Sequence, residues 1–233
     1  MNPWSLYNPV DPANQLQWLS EELFKAETDG DKVHIIGHIP PDNRECTQAW
    51  LFNFLRIIDR FQDVVLAQYY GHTHRDEFRL LYSPSSQDVP IGLAYIGPSI
   101  TPFTENNPSY RLYHMDDDGY LVDHETYYFN LTEANTNSKG PIWRKEYRAI
   151  ETFNMTTMGP IGWHELVQKM QEDDTLFQYY YKLYYRKSDA KKHEYCDIKC
   201  KKSIISDLTV LHPLKNKPKG FLGRRKLNQK KFE

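Results

Sequence analysis

No long apolar run is present. Nothing in the 233 residues approaches the ~18 apolar residues in a row that cross a bilayer as a helix, which removes a spanning-helix reading. The opening residues, 1–10, lack a basic start followed by an apolar core and so do not read as a secretory leader. Taken alone, that points to the cytosol. Cysteine is scarce. There are three, Cys46, Cys196 and Cys200, an odd count that leaves at least one thiol without a partner in the chain. Cys196 and Cys200 are close enough for a tight bridge, with a pair of reduced thiols as the alternative, and Cys-x3-Cys is too sparse for a zinc site. Net charge is also small, −2 at pH 7, which argues against a strong electrostatic partner for the whole chain. No internal repeat or low-complexity segment stands out.

The small charge hides a division. From Lys215 onward eight basic residues stand against Glu233 alone, a balance of +7, so residues 1–214 carry about −9 of the overall −2. The basic tail, 215–233, reads as a solvated disordered segment or as one weakly attracted to anionic lipid heads. Nucleic acid is disfavoured, because only Phe221 and Phe232 could stack on bases.

One stretch organises the rest. Val33-His34-Ile35-Ile36-Gly37-His38-Ile39-Pro40-Pro41 and the later Gly71-His72-Thr73-His74 share a plan: an apolar run, a glycine, then histidine. The runs 33–36 and 64–70 read as buried strands of an α/β sheet. Polar residues of such sheets gather at the carboxyl ends of the strands, which predicts His38, His72 and His74 on one edge. On an extended chain the two imidazoles of His72-Thr73-His74 face the same way and could reach one metal or two neighbouring ones. Gly71 is expected to let the backbone bend beside them. Two surface histidines are the plainer alternative for an isolated His-x-His.

The combination Gly37-His38-Ile39-Pro40-Pro41 and Gly71-His72-Thr73-His74 resembles the carboxyl-terminal half of a calcineurin-like metallophosphoesterase, and more narrowly the acid sphingomyelinase family. Other stretches that carry the likeness are Asp11-Pro12-Ala13-Asn14-Gln15-Leu16-Gln17-Trp18-Leu19, Asp76-Glu77-Phe78, Asn107-Pro108-Ser109-Tyr110-Arg111, Asp123-His124-Glu125-Thr126-Tyr127 and Asn130-Leu131-Thr132. It runs from about Trp4 to Cys200. Nucleotide-hydrolysing relatives share part of the pattern, but 32–36 and 123–127 lean toward the sphingomyelinases. The resemblance implies hydrolysis of a phosphodiester, sphingomyelin to ceramide and phosphocholine, at a two-zinc site. His38 and His72 would bind one ion and His74 the other, with the metals roughly 3.5–4 Å apart. Tyr110 would line the substrate pocket, and Cys196 and Cys200 would be bridged with Cys46 left over.

The family's Asp-x-His pair, bridging Asp and proton-donating Asn-His do not occur upstream of Val33, and no Asn-His occurs anywhere. The expectation is therefore a chain that lacks the amino-terminal half of the catalytic domain, holds an incomplete zinc set and is inactive as it stands. If it does turn over, Asp42, Asp76 or His34 would have to complete the site. Alternatives are a nucleotide-type phosphodiesterase and a non-catalytic lipid-binding or decoy protein. The resemblance implies a secreted or lysosomal setting, with which the sequons at Asn130 and Asn154 agree.

The expected architecture is α/β: a partial metallophosphoesterase sandwich over 1–133, a small helical carboxyl-terminal domain over 134–214, then the tail. Residues 1–8 read as a strand remnant. Asp11-Pro12 suits a helix start, with Leu16, Leu19 and Leu23 on one face, ending near Gly30. A helix over 47–61 joins the two strands, which predicts parallel pairing. Strands are expected at 77–82, 91–96, 110–115 and 120–130, completing a second sheet. Helices are expected at 143–153, 162–170 and 175–185. In the last, Tyr179-Tyr180-Tyr181 and Tyr184-Tyr185 read as a packing stripe or a lipid-holding lid. His34 and His124 read as structural, and His114, His164, His193 and His212 as surface or packing residues.

Overall fold

The computed structural model describes residues 10–86, 88–136, 138–190 and 194–210. The strand remnant at 1–8, His193, His212 and the basic tail lie outside them.

The chain is mixed α/β. Helix α1 (Gln15–Asp29) is followed by β1 (Val33–Ile36), α2 (Gln48–Arg60) and β2 (Val65–Tyr70). The Thr47 hydroxyl accepts from the Trp50 amide and starts α2, and Leu51, Phe54, Leu55 and Ile58 form its buried face. β1 and β2 pair in parallel, as the strand–helix–strand order predicts. At α1 the expectation holds in a shifted form. Ala13 and Asn14 take left-handed φ, so a 3-10 turn over Pro12–Asn14 precedes the helix. The Asp11 carboxylate then accepts from the amides of Leu16 and Gln17, one turn further on than a simple cap. Gly30, at φ 78°, closes α1 by donating to Ala26 and Glu27 carbonyls.

Strands β3 (Glu77–Tyr82) and β4 (Pro90–Ile96) come next. They do not complete a second sheet, as expected from sequence, but enter the first. Its order is β1-β2-β4-β3-β8, where β8 is the two-residue strand Thr209–Val210, with β4 parallel to β2 and β3 antiparallel to β4. The physical reason lies in β3, which is buried along its whole length. Phe78, Leu80 and Tyr82 point into one core and Leu81 into another, so both faces need cover. By contrast β1 is an edge strand, not a buried one, and Ile36 at its end is 83% exposed.

The second sheet is antiparallel and three-stranded: β5 (Ser109–Met115), β6 (Leu121–Tyr128) and β7 (Arg144–Arg148). β7 overturns the helix expected over 143–153. Pairing of Arg144 and Lys145 with Tyr128 and Tyr127 outweighs local propensity and leaves helix only in the short α4 (Ala149–Phe153). α3 (Leu131–Thr136) lies between β6 and β7. Helices α5 (Pro160–Glu172) and α6 (Asp174–Tyr184) match the sequence pattern. α7 (Ile198–Leu208) and the two-residue β8 (Thr209–Val210), paired with β3, were not foreseen.

Two cores sandwich the first sheet. Leu16 and the buried face of α2 meet Leu81 and Ile91 on one side. On the other, Phe78, Leu80 and Tyr95 meet Trp163, Leu166, Phe177, Tyr180 and Leu208. Tyr180, Tyr181 and Tyr184 are buried in this second core, so the tyrosine stripe of α6 is packing, with Tyr179 left at the surface. Among the described residues no helix is long and apolar enough to cross a membrane.

Candidate metal centre

The carboxyl ends of β1 and β2 carry the histidines. The ladder continues past the strands: the Gly37 amide donates to the Tyr69 carbonyl at 3.0 Å and the Gly71 amide to the His38 carbonyl at 3.0 Å. This sets His38 beside His72, with ring centroids 5.4 Å apart and planes nearly perpendicular. Gly37 is required sterically, because a Cβ there would lie 2.7 Å from the Tyr70 ring. Gly71, credited from sequence with a bend, has ordinary room for a Cβ.

The left-handed conformation falls instead on His72 (φ 73°) and His74 (φ 60°). The tip is therefore not the extended His-x-His expected, and period-two reasoning does not apply to it. Left-handed backbone in non-glycine residues costs on the order of 1–3 kcal/mol and concentrates at functional sites. His74 meets Phe103 edge-on, centroids 6.1 Å apart, and its carbonyl accepts from the Asn106 side-chain amide at 3.4 Å.

The 39–46 loop is a built turn. Asp42 is buried, and its Oδ1 accepts from the amides of Arg44 and Glu45 at 2.9 and 2.8 Å. Its Oδ2 lies 3.8 Å from Nε of buried Arg79. The turn aims Glu45 at the site, with Oε1 3.5 Å from His72 Nε2. Sequence reasoning missed Glu45. The available signal was the Pro-Asp turn start three residues ahead of it. Burial pushes the nearby Cys46 thiol upward, which keeps it protonated and weakly nucleophilic, and the cysteine is free.

Imidazoles are good zinc ligands, and those of His38 and His72 converge here. A catalytic zinc uses about three protein ligands. Among the described residues no three His, Cys, Asp or Glu side chains come together as an ion cage. The donor chemistry thus fits zinc while the donor number falls short. The residues named from sequence as able to complete the set are otherwise engaged. Asp42 is held as above. Asp76 accepts from Tyr147 and Thr126. His34 Nε2 lies 2.9 Å from the Gly119 carbonyl.

The remaining candidates are distributed over the surface and the second core. Tyr110 stacks on Tyr127 at 5.3 Å and meets Trp143 edge-on at 4.9 Å. Cys196 and Cys200 are disulfide-bonded, Cα atoms 5.2 Å apart. Asn130 spans the start of α3, accepting from Glu133 N and donating to Asp189, while Asn154 is exposed at the end of α4. His124 is fully buried among Tyr95, Tyr113, Tyr147 and Trp163.

A model of the acid sphingomyelin phosphodiesterase C-terminal region matches residues 90–215. The chain belongs to that family. The histidine tip precedes the matched segment, but the similarity to whole proteins is wider. Sphingomyelin phosphodiesterases of Bos taurus and Homo sapiens are each 44% identical over 190 residues, 79% of this chain and 30% of theirs. Sphingomyelin phosphodiesterase B of Dictyostelium discoideum is 36% identical over 206 residues, 85% of this chain and 32% of its own. These relatives are hydrolytic enzymes by name, and the chain spans about a third of their length.

Proposed function

We propose that the chain is a zinc-binding portion of a sphingomyelin-type phosphodiesterase. The observation that carries this is the convergence of His38 and His72 at the carboxyl ends of parallel strands, in a chain of this family. His38 and His72 would hold one zinc ion, and His74 would serve a second. Zinc in such a site supplies Lewis acidity toward a phosphoryl oxygen and a water nucleophile near neutral pH. The protein's own part is to place the imidazoles: the β1–β2 ladder fixes His38 against His72, and the Asp42 turn sets the Glu45 carboxylate beside His72 Nε2. A carboxylate there favours the tautomer with the proton on Nε2 and the lone pair on Nδ1.

In this reading β1 to β6 are part of a metallophosphoesterase sandwich and α5 to α7 its helical carboxyl-terminal region. Tyr110 contributes to substrate contact, sugars are carried at Asn130 and Asn154, and the setting is secreted or lysosomal. The donor shortage leads to a further point: the 233 residues alone do not hydrolyse sphingomyelin. Titration calorimetry of the purified chain with zinc, alongside turnover of sphingomyelin vesicles, tests both. We expect at most one weakly bound zinc, lost in His38→Ala or His72→Ala, and no turnover above background. Zinc-dependent turnover that disappears in His72→Ala would show that other residues complete the centre, and zinc binding indifferent to both substitutions would remove the site.

A further inference from the structure

Behind the histidine tip lies a concentration of buried charge that the proposed chemistry does not use. Asp76 accepts from Arg111, from the Tyr147 hydroxyl at 2.8 Å and from the Thr126 hydroxyl at 2.9 Å. Next to this satisfied group are two that are not. Glu146, on β7, is 7% exposed, and neither of its carboxylate oxygens has a hydrogen-bond partner. Arg186, just past α6, is fully buried, and neither Nη has one. A carboxylate left unpaired away from water is strongly disfavoured, whereas the neutral acid is tolerated.

Arg186 is nonetheless tied down elsewhere. Its Nε donates to the Asn107 carbonyl at 2.8 Å, and its own carbonyl accepts from Asn107 Nδ2 at 3.0 Å. Ser188 Oγ donates to the Glu105 carbonyl at 2.6 Å. Asn106, between those two, reaches the His74 carbonyl. The segment after α6 therefore clamps the 105–107 loop, and that loop supports the backbone of His74.

We propose that Glu146 is a proton-binding site built into this clamp: the closed fold holds its carboxyl neutral, and ionisation draws Arg186 from Asn107 toward the carboxylate and loosens the loop behind His74. The link to His74 rests on the metal-site reading, while the proton site itself does not. Burial pushes the Glu146 carboxyl well above its ordinary value of 4.5, and Asp76 adds to this. Lys187, Arg186 and Arg111 pull the other way. The groups facing it are thus Asp76 ahead of β3, Arg111 on β5, Tyr128 on β6, and Arg186 and Lys187 after α6. Because the folded value is raised, the folded protein binds the proton more tightly than the unfolded chain. The stabilisation is present below 4.5 and is lost as pH rises through the folded value.

The test compares the full chain with Glu146→Gln, which keeps the shape without the charge, and with Glu146→Leu as a second replacement. Melting temperature is followed from about pH 4.5 to about pH 8, with amide exchange read at 105–107 and 184–188. The parent should lose several degrees more than either variant on alkalinisation, and protection factors, corrected for the intrinsic pH dependence of exchange, should fall with pH in both segments in the parent alone. Parallel melting curves overturn the proton site, and protection at 105–107 that is indifferent to pH overturns the clamp. Zinc is absent from this experiment, so its outcome is independent of the metal-site test. His124, which titrates with the opposite sign, is common to all three proteins and cancels.

Discussion

The histidine tip and the interior behind it solve opposite problems within a few residues of one another. At the tip, two loops present imidazoles at the surface, the backbone of His72 and His74 is left-handed, and few side chains hold them. Two residues on, Asp76 is buried under three donors, from Arg111, Tyr147 and Thr126. The tip trades stability for exposed imidazoles, and the interior supplies the rigidity that lets it do so. The difference teaches where substitutions should hurt: breaking the buried Asp76–Arg111 pair should cost a large share of stability, and removal of the tip histidines should cost binding with little loss of fold.

Three substitutions sharpen that contrast. The largest effect is expected for Asp76→Ala. It leaves the Arg111 guanidinium buried without its carboxylate and should cost about 3–5 kcal/mol in urea unfolding. A loss under about 1 kcal/mol, typical of exposed pairs, would mean that water reaches this network.

Next comes His124→Phe. Burial, then Arg111 and His114, hold the imidazole well below its ordinary value of 6.5. Folded-state depression means that the stabilisation is present above 6.5 and is lost as pH falls toward the folded value. Both ring nitrogens lack partners, so phenylalanine removes two unsatisfied polar atoms. The variant should gain on the parent by up to about 1.4 kcal/mol for each pH unit below 6.5. Identical acid unfolding curves would show that His124 does not titrate differently in the two states.

The smallest effect on the fold is expected for His72→Gly. Glycine adopts φ 73° without the Cβ penalty, so stability should stay level or rise by up to about 1 kcal/mol. Zinc affinity should fall in the same protein. A destabilisation of several kcal/mol would place His72 among the structural residues and break the comparison.

How much of this was readable in advance depended on range. The α1, α2, α5 and α6 patterns carry period-3.6 faces over ten or more residues, and each helix formed where its face predicts. The Gly-His pairs at strand ends predicted which loops would hold the tip, and His38 and His72 do meet. Sheet assignment failed for 77–96, because alternation says that a strand has two faces and not which sheet supplies its neighbours. The helix expected over 143–153 gave way to β7 because pairing with β6 outweighed local propensity. Arg186 with Asn107 was invisible because the two lie far apart along the chain, and at Glu45 the Pro-Asp pair signals a turn but not the direction in which it aims the side chain.

By itself the amino-acid sequence determined the family likeness, the element list along the first half of the chain, the apolar faces and the histidines at two strand ends, all properties of local spacing. Only the tertiary structure decided that β3 and β4 join the first sheet, that His72 and His74 are left-handed, that Asp76 is saturated and that Glu146 is buried without a partner. Those facts arise when segments distant in sequence compete for the same interior space, and no local pattern encodes which of them acquires a hydrogen bond and which is left without one.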